Sequence, residues 1–98
     1  GGISERRILT DDTVWLDLVK LGYDPKRQIL WHYKVDLDRE VHQQLANGWR
    51  DIDYIVSTPT VRRTAPDLPT VAAALQNSRV VATFGNGDDR VEIRKVTR

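Results

Sequence analysis

Wherever an apolar run of this chain ends, acids, bases and hydroxyls follow. Asp11 and Asp12 come after Ile8-Leu9-Thr10, Lys34 and Asp36 close the run that begins at Gln28, and Ser57 and Thr58 close Tyr54-Ile55-Val56, with Arg62-Arg63 soon after. Gathered on one rim, Lys34 and Arg62 or Arg63 would grip phosphate or carboxylate oxygens, with the hydroxyls as further donors. The same residues also have plainer duties, the aspartates as helix N-caps and the bases in surface pairs.

A second chemistry, glycoside hydrolysis, would need two of Asp11, Asp12, Asp36, Asp38, Asp51 and Asp53 at a separation of about 5–10 Å. Spacing along the chain does not set that distance, and capping accounts for most aspartates at such positions. His32 and His42 lack the i, i+4 spacing of helical metal ligands, and no neighbouring acids complete a triad. Cysteine is absent, so there is no thiolate nucleophile and no disulfide framework. The serines have no nucleophile-elbow context, and Gly85-Asn86-Gly87 lies between two strand-like runs, where a dinucleotide fingerprint would not. The expectation is a domain without catalytic residue, metal or cofactor.

The aromatics Trp15, Trp31, Trp49, Tyr23, Tyr33 and Tyr54 offer faces on which sugar rings could stack. Trp15 lies on a helical apolar stripe, and Trp31 and Tyr33 share one face of an expected strand, which favours packing against helices. Trp49, between Gly48 and Arg50-Asp51, is the aromatic candidate for contact with a partner.

The elements that would position these residues alternate in type. A strand at 7–10 precedes a helix carrying Val14, Trp15, Leu18 and Val19, N-capped by Asp11 or Asp12 and stopped at Gly22. A strand over 28–35 leads to a helix with Leu37, Val41 and Leu45 on one face, capped by Asp36 or Asp38 and ending at Asn47-Gly48. A third strand covers 53–58, and the stretch 59–67, with two prolines, reads as an irregular loop. A helix from Leu68-Pro69 buries Val71, Ala72 and Leu75 and ends at Asn77-Ser78. Strands at 79–84 and 90–96 flank a glycine-rich hairpin turn. The order β-α-β-α-β-α-β-β predicts an α/β fold: a three-layer, mostly parallel sheet with helices on both faces and the last strand added antiparallel at an edge. In such sheets ligands bind beyond the carboxyl ends of the strands, where the singled-out residues, with Gly85 and Asn86, would meet.

The chain has 98 residues and a net charge of +1, enough for a single domain and too little field for nucleic acid. No apolar run approaches the ~20 residues that cross a bilayer. The lack of methionine, with Gly1-Gly2 ahead of an early strand, fits a soluble domain cut from the C-terminus of a larger protein, Gly1-Gly2 being a cloning remnant.

Four blocks in order resemble a known family: D-D-T-V-W-L-D-L-V at 11–19, W-H-Y-K-V-D-L-D at 31–38, G-W-R-D-I-D-Y-I-V at 48–56, and S-R-V-V-A-T-F-G-N-G at 78–87. They are similar to the extracytoplasmic C-terminal domain of actinobacterial polytopic glycosyltransferases, mannosyltransferase-like membrane enzymes that use polyprenyl-phosphate sugars. The resemblance implies a domain of an enzyme that is not itself catalytic, outside the plasma membrane of the cell. Its implied partners are the transmembrane part of the same polypeptide and, at the rim, a glycan or polyprenyl-phosphate sugar head group. A stand-alone flavodoxin-like module binding a small ligand or a protein is the alternative.

Overall fold

The computed structural model describes residues 6–97; Gly1 and Gly2 lie outside them. The chain forms β1 (Ile8–Thr10), α1 (Trp15–Lys20), β2 (Ile29–Trp31), α2 (His32–Leu37), α3 (Arg39–Gln43), β3 (Tyr54–Ser57), α4 (Pro59–Thr64), α5 (Pro69–Gln76), β4 (Ser78–Phe84) and β5 (Val91–Val96). This is an α/β fold on one mixed sheet of five strands, in the order β2-β1-β3-β5-β4. β1 pairs in parallel with β2 and β3, whereas β5 runs antiparallel to both β3 and β4.

The antiparallel last strand therefore does not sit at the edge. β5 is inserted between β3 and β4, and β4 becomes the margin of the sheet. The tight hairpin obliges β4 and β5 to be neighbours without saying which of them docks on β3. β5 is the strand whose side chains suit an interior place: Glu92 and Val96 are buried, whereas most of β4 is exposed.

Each strand sends alternate residues to opposite faces, which produces two apolar clusters. Leu9, Leu30, Ile55 and Val96 pack with Val35, Leu45, Ile52, Val61, Leu68, Val71 and Ala74 under α2, α4 and α5 and the segments around them. On the other face Ile8, Ile29 and Val56 meet Leu18 of α1, flanked by Trp15, Val19, Trp31 and Tyr54. Helices thus cover both faces unequally, with α1 alone on the second. Among the described residues no helix is long and apolar enough to cross a membrane.

Three local expectations change. The second strand stops at Trp31 and the backbone turns helical at His32, because burying both His32 and Val35 takes the i, i+3 spacing of a helix rather than strand alternation. Trp31 and Tyr33 consequently meet edge to face, 5.6 Å apart, instead of sharing a strand face. The expected helix through Leu37, Val41 and Leu45 is broken at Asp38, which is extended and caps α3, leaving Leu37 74% exposed. The proline-containing stretch 59–67 is not a loop. Thr58 accepts a hydrogen bond from the Val61 N–H and Pro59 takes the first helical position, where a missing N–H costs nothing, so α4 forms and a 3-10 turn at Ala65–Asp67 follows. The remaining elements agree with the sequence reading to within a residue or two, including the left-handed Gly22 just after α1.

Candidate functional site

The carboxyl ends of β1, β2 and β3 bring together Asp11, His32 and Thr58, all buried. Asp11 does not cap α1, whose N-cap position is Val14 with no side-chain bond. Its Oδ1 accepts hydrogen bonds from the Thr13 N–H at 2.9 Å and the Thr13 hydroxyl at 2.5 Å, and its Oδ2 accepts one from the Thr58 hydroxyl. Burial alone would push the Asp11 carboxyl up, but the Thr13 and Thr58 hydrogen bonds and the nearby His32 outweigh it and hold it below the usual range. His32 is pushed down by burial, against the opposing pull of Asp11, a hydrogen bond to the Thr10 backbone and Asp12. The pair rests as carboxylate beside neutral imidazole.

In an open sheet the crevice between β1 and β3 is where a ligand would enter. Here the Thr58–Asp11 bond closes it. Ser57, next along, turns its hydroxyl to the opposite face; its Oγ and the His32 Nδ1 are both buried without a hydrogen-bond partner, so they do not bond to each other and form no nucleophile–base pair. Among the described residues no three His, Asp or Glu side chains gather as a metal site.

The other sequence candidates disperse. Asp36 reaches across to α5 and accepts from the Thr70 N–H at 3.0 Å, supplying the cap that Leu68 cannot. Trp49 packs against the helix-side core with the Arg50 guanidinium 4.6 Å from its ring. Asp12 and Arg63 are exposed. Arg62 donates to three backbone carbonyls, Ser57 at 2.7 Å, Asp88 at 3.0 Å and Arg90 at 2.7 Å, and so ties the end of β3 to the hairpin turn.

No family model, curated protein or solved structure matches this chain.

Lys34 belongs to a different place, the outer edge of β2. There a cleft of about 440 Å³ has Trp15, Lys26, Trp31, Lys34, Val41 and Gln44 among its lining residues. The Lys34 ammonium lies 5.2 Å from the Trp31 ring centroid, which fixes both side chains at the wall. Two indoles with amine and amide donors around them suit a ring that has an apolar face and a hydroxylated rim. The sequence reading had named these tryptophans as packing residues, and they do pack; half-burial leaves each with a face on the cleft. His32, weighed in the sequence only as a metal ligand, and Arg90, Glu92 and Arg94 are the polar residues left out of the expected rim. The alternation of Arg90, Glu92 and Arg94 with Val91 and Ile93 was the signal for the last three, since a period of two puts three charges on one strand face.

Proposed function

We propose that this chain is a non-catalytic domain of an integral-membrane glycosyltransferase that takes sugar from a polyprenyl-phosphate donor. It works on the extracytoplasmic side and helps to position the acceptor glycan or the sugar head group. The four blocks at 11–19, 31–38, 48–56 and 78–87 support the family. The observation that carries the role is the Trp15–Trp31–Lys34 cleft, whose size falls within the ~300–1,000 Å³ of small-molecule sites and whose walls suit a pyranose. The test compares transfer by the full-length protein with and without Trp31→Ala and Lys34→Ala. A raised acceptor KM with the protein still in the membrane is expected, and unchanged rates and acceptor choice would sink the role. The mass and apolar spans of the native product test the family itself, which a small soluble product would exclude.

One observation favours the flavodoxin-like alternative: the order β2-β1-β3, all parallel, is how such sheets begin. That reading places its ligand at the β1/β3 crevice. Freeing that crevice by Thr58→Val should then create or alter ligand binding, and indifference there would leave the edge cleft as the better site.

A further inference from the structure

On the helix-rich side of the sheet, where α4 and α5 give way to the hairpin, a second and smaller cleft of about 190 Å³ is lined by Ser57, Arg62, Leu75, Arg90, Glu92 and Arg94. Its floor comes from the strands. Ser57 stands opposite Glu92 in the β3–β5 register, and Arg90 and Arg94 flank Glu92 on the same face. Glu92 accepts from the Arg90 Nε at 3.0 Å and the Arg94 Nε at 3.1 Å. The remaining bonds of these arginines are a Gly87 carbonyl at 2.8 Å for Arg90 and the Ser78 hydroxyl at 3.2 Å for Arg94.

Three guanidinium groups thus face one carboxylate. Among the described residues Arg62 is held by carbonyls alone, with no carboxylate paired to its guanidinium. Among the described residues the Nη2 groups of Arg90 and Arg94 have no hydrogen-bond partner. The Ser57 hydroxyl at the bottom of the cleft is wholly buried and also unpaired. A buried hydroxyl without a partner is uncommon, and one placed among surplus guanidinium donors points to an acceptor that comes from outside.

We infer that this cleft is a binding site for a phosphate group, with Arg90 and Arg94 donating from its walls, Ser57 from its floor, and Arg62 supplying charge and holding the turn that forms its rim. The cleft is too small for a drug-sized molecule, whose sites start at about 300 Å³, and suits a single tetrahedral oxyanion. Planar, forked guanidinium groups are the side chains that recognise such an anion best. Glu92 spaces the two arginines and tempers their charge, so the site releases what it binds. The inference does not rest on the glycosyltransferase reading; a free phosphate or a lipid-linked phosphate monoester would present the same chemistry.

The experiment is an NMR titration of the 98-residue chain with inorganic phosphate at low ionic strength, following the Arg Nε–H signals and the Ser57 amide. Saturable shifts at Arg90, Arg94 and Ser57 are expected. Arg94→Gln should weaken binding about tenfold and Ser57→Ala by a smaller factor, while Glu92→Gln should tighten it. Ser57→Ala removes only a hydroxyl that bonds nothing, so it decides the matter should Arg94→Gln fail to fold. No saturable shift in the parent chain, or equal affinity in Ser57→Ala and the parent, would overturn the inference. A parallel titration with a short isoprenyl monophosphate identifies the source: tighter binding than inorganic phosphate assigns a lipid-linked phosphate, equal or weaker binding a soluble one.

Discussion

The parallel and antiparallel halves of the sheet are built to different standards. Every residue of β1, and Ile29, Leu30, Ile55, Val56 and Ser57 of the neighbouring strands, is buried between helices on both sides. Past β3 the cover thins out. β4 has five of its seven residues exposed, Phe84 at 61% among them, and among the described residues no strand pairs with its outer side. A parallel strand needs a crossover helix, and each crossover brings its own cover, whereas a hairpin adds strands without adding a layer. Packing is most complete in the parallel half, and the strand surface left uncovered lies in the antiparallel half.

That contrast can be broken most directly in the core. Ile55→Ala should cost about 2–5 kcal/mol in urea unfolding, because it opens a cavity where packing is complete. A comparable loss from Phe84→Ala would refute the contrast, since an exposed side chain of this kind should cost no more than about 0.5 kcal/mol. Between these lies Asp11→Ala, expected at about 1–3 kcal/mol because it strands the Thr58 hydroxyl in a buried place. A double-mutant cycle with Thr58→Val should show most of that loss as coupling. Removing the remote cap of α5 with Asp36→Ala should cost about 1 kcal/mol, confined to the helix-rich face.

Acid sharpens the comparison further. His32 has a folded value below its ordinary 6.5, so the unfolded chain takes up its proton first and stability falls as pH drops from about 6.5 toward the folded value. Asp11 is also depressed, so its contribution, present above the ordinary carboxylate value, is lost as pH falls from about 4 through its folded value. Glu92 behaves likewise: burial alone would raise it, and the Arg90 and Arg94 bonds outweigh that. Urea midpoints measured from pH 8 to pH 3 should therefore decline in two stages. His32→Gln should erase the upper stage alone, and an unchanged upper stage in that variant would contradict the assignment.

Much of the fold was legible because strong local signals agreed with the global pattern. Gly22, the 85–89 turn and the alternation of strands with helices each had a local physical cause. The failures have causes too. The run Trp31-His32-Tyr33-Lys34-Val35 has strand composition but buries His32 and Val35 at helical spacing, and tertiary packing decided between them. Asp36 looked like a cap and is one, for a helix 34 residues away in sequence, which no local window reveals. The candidate residues disperse for a related reason. The rim rule gathered Asp11 and Thr58 correctly, but it could not foresee that they would bond to each other and close the crevice. The two clefts instead lie at the β2 edge and beside β5, set by which strands finish next to which.

Arg62 carries a consequence beyond the anion it would greet. Its guanidinium spans the last carbonyl of β3 and two carbonyls of the turn before β5, so one side chain fastens a tightly held strand to the least covered part of the sheet. The β3–β5 ladder holds the strands of the hairpin, and Arg62 adds a side-chain mooring for its turn. Amide exchange across residues 85–90 should then behave as one cooperative event, quickened together in Arg62→Gln, while the interior of β3 keeps its own slower clock.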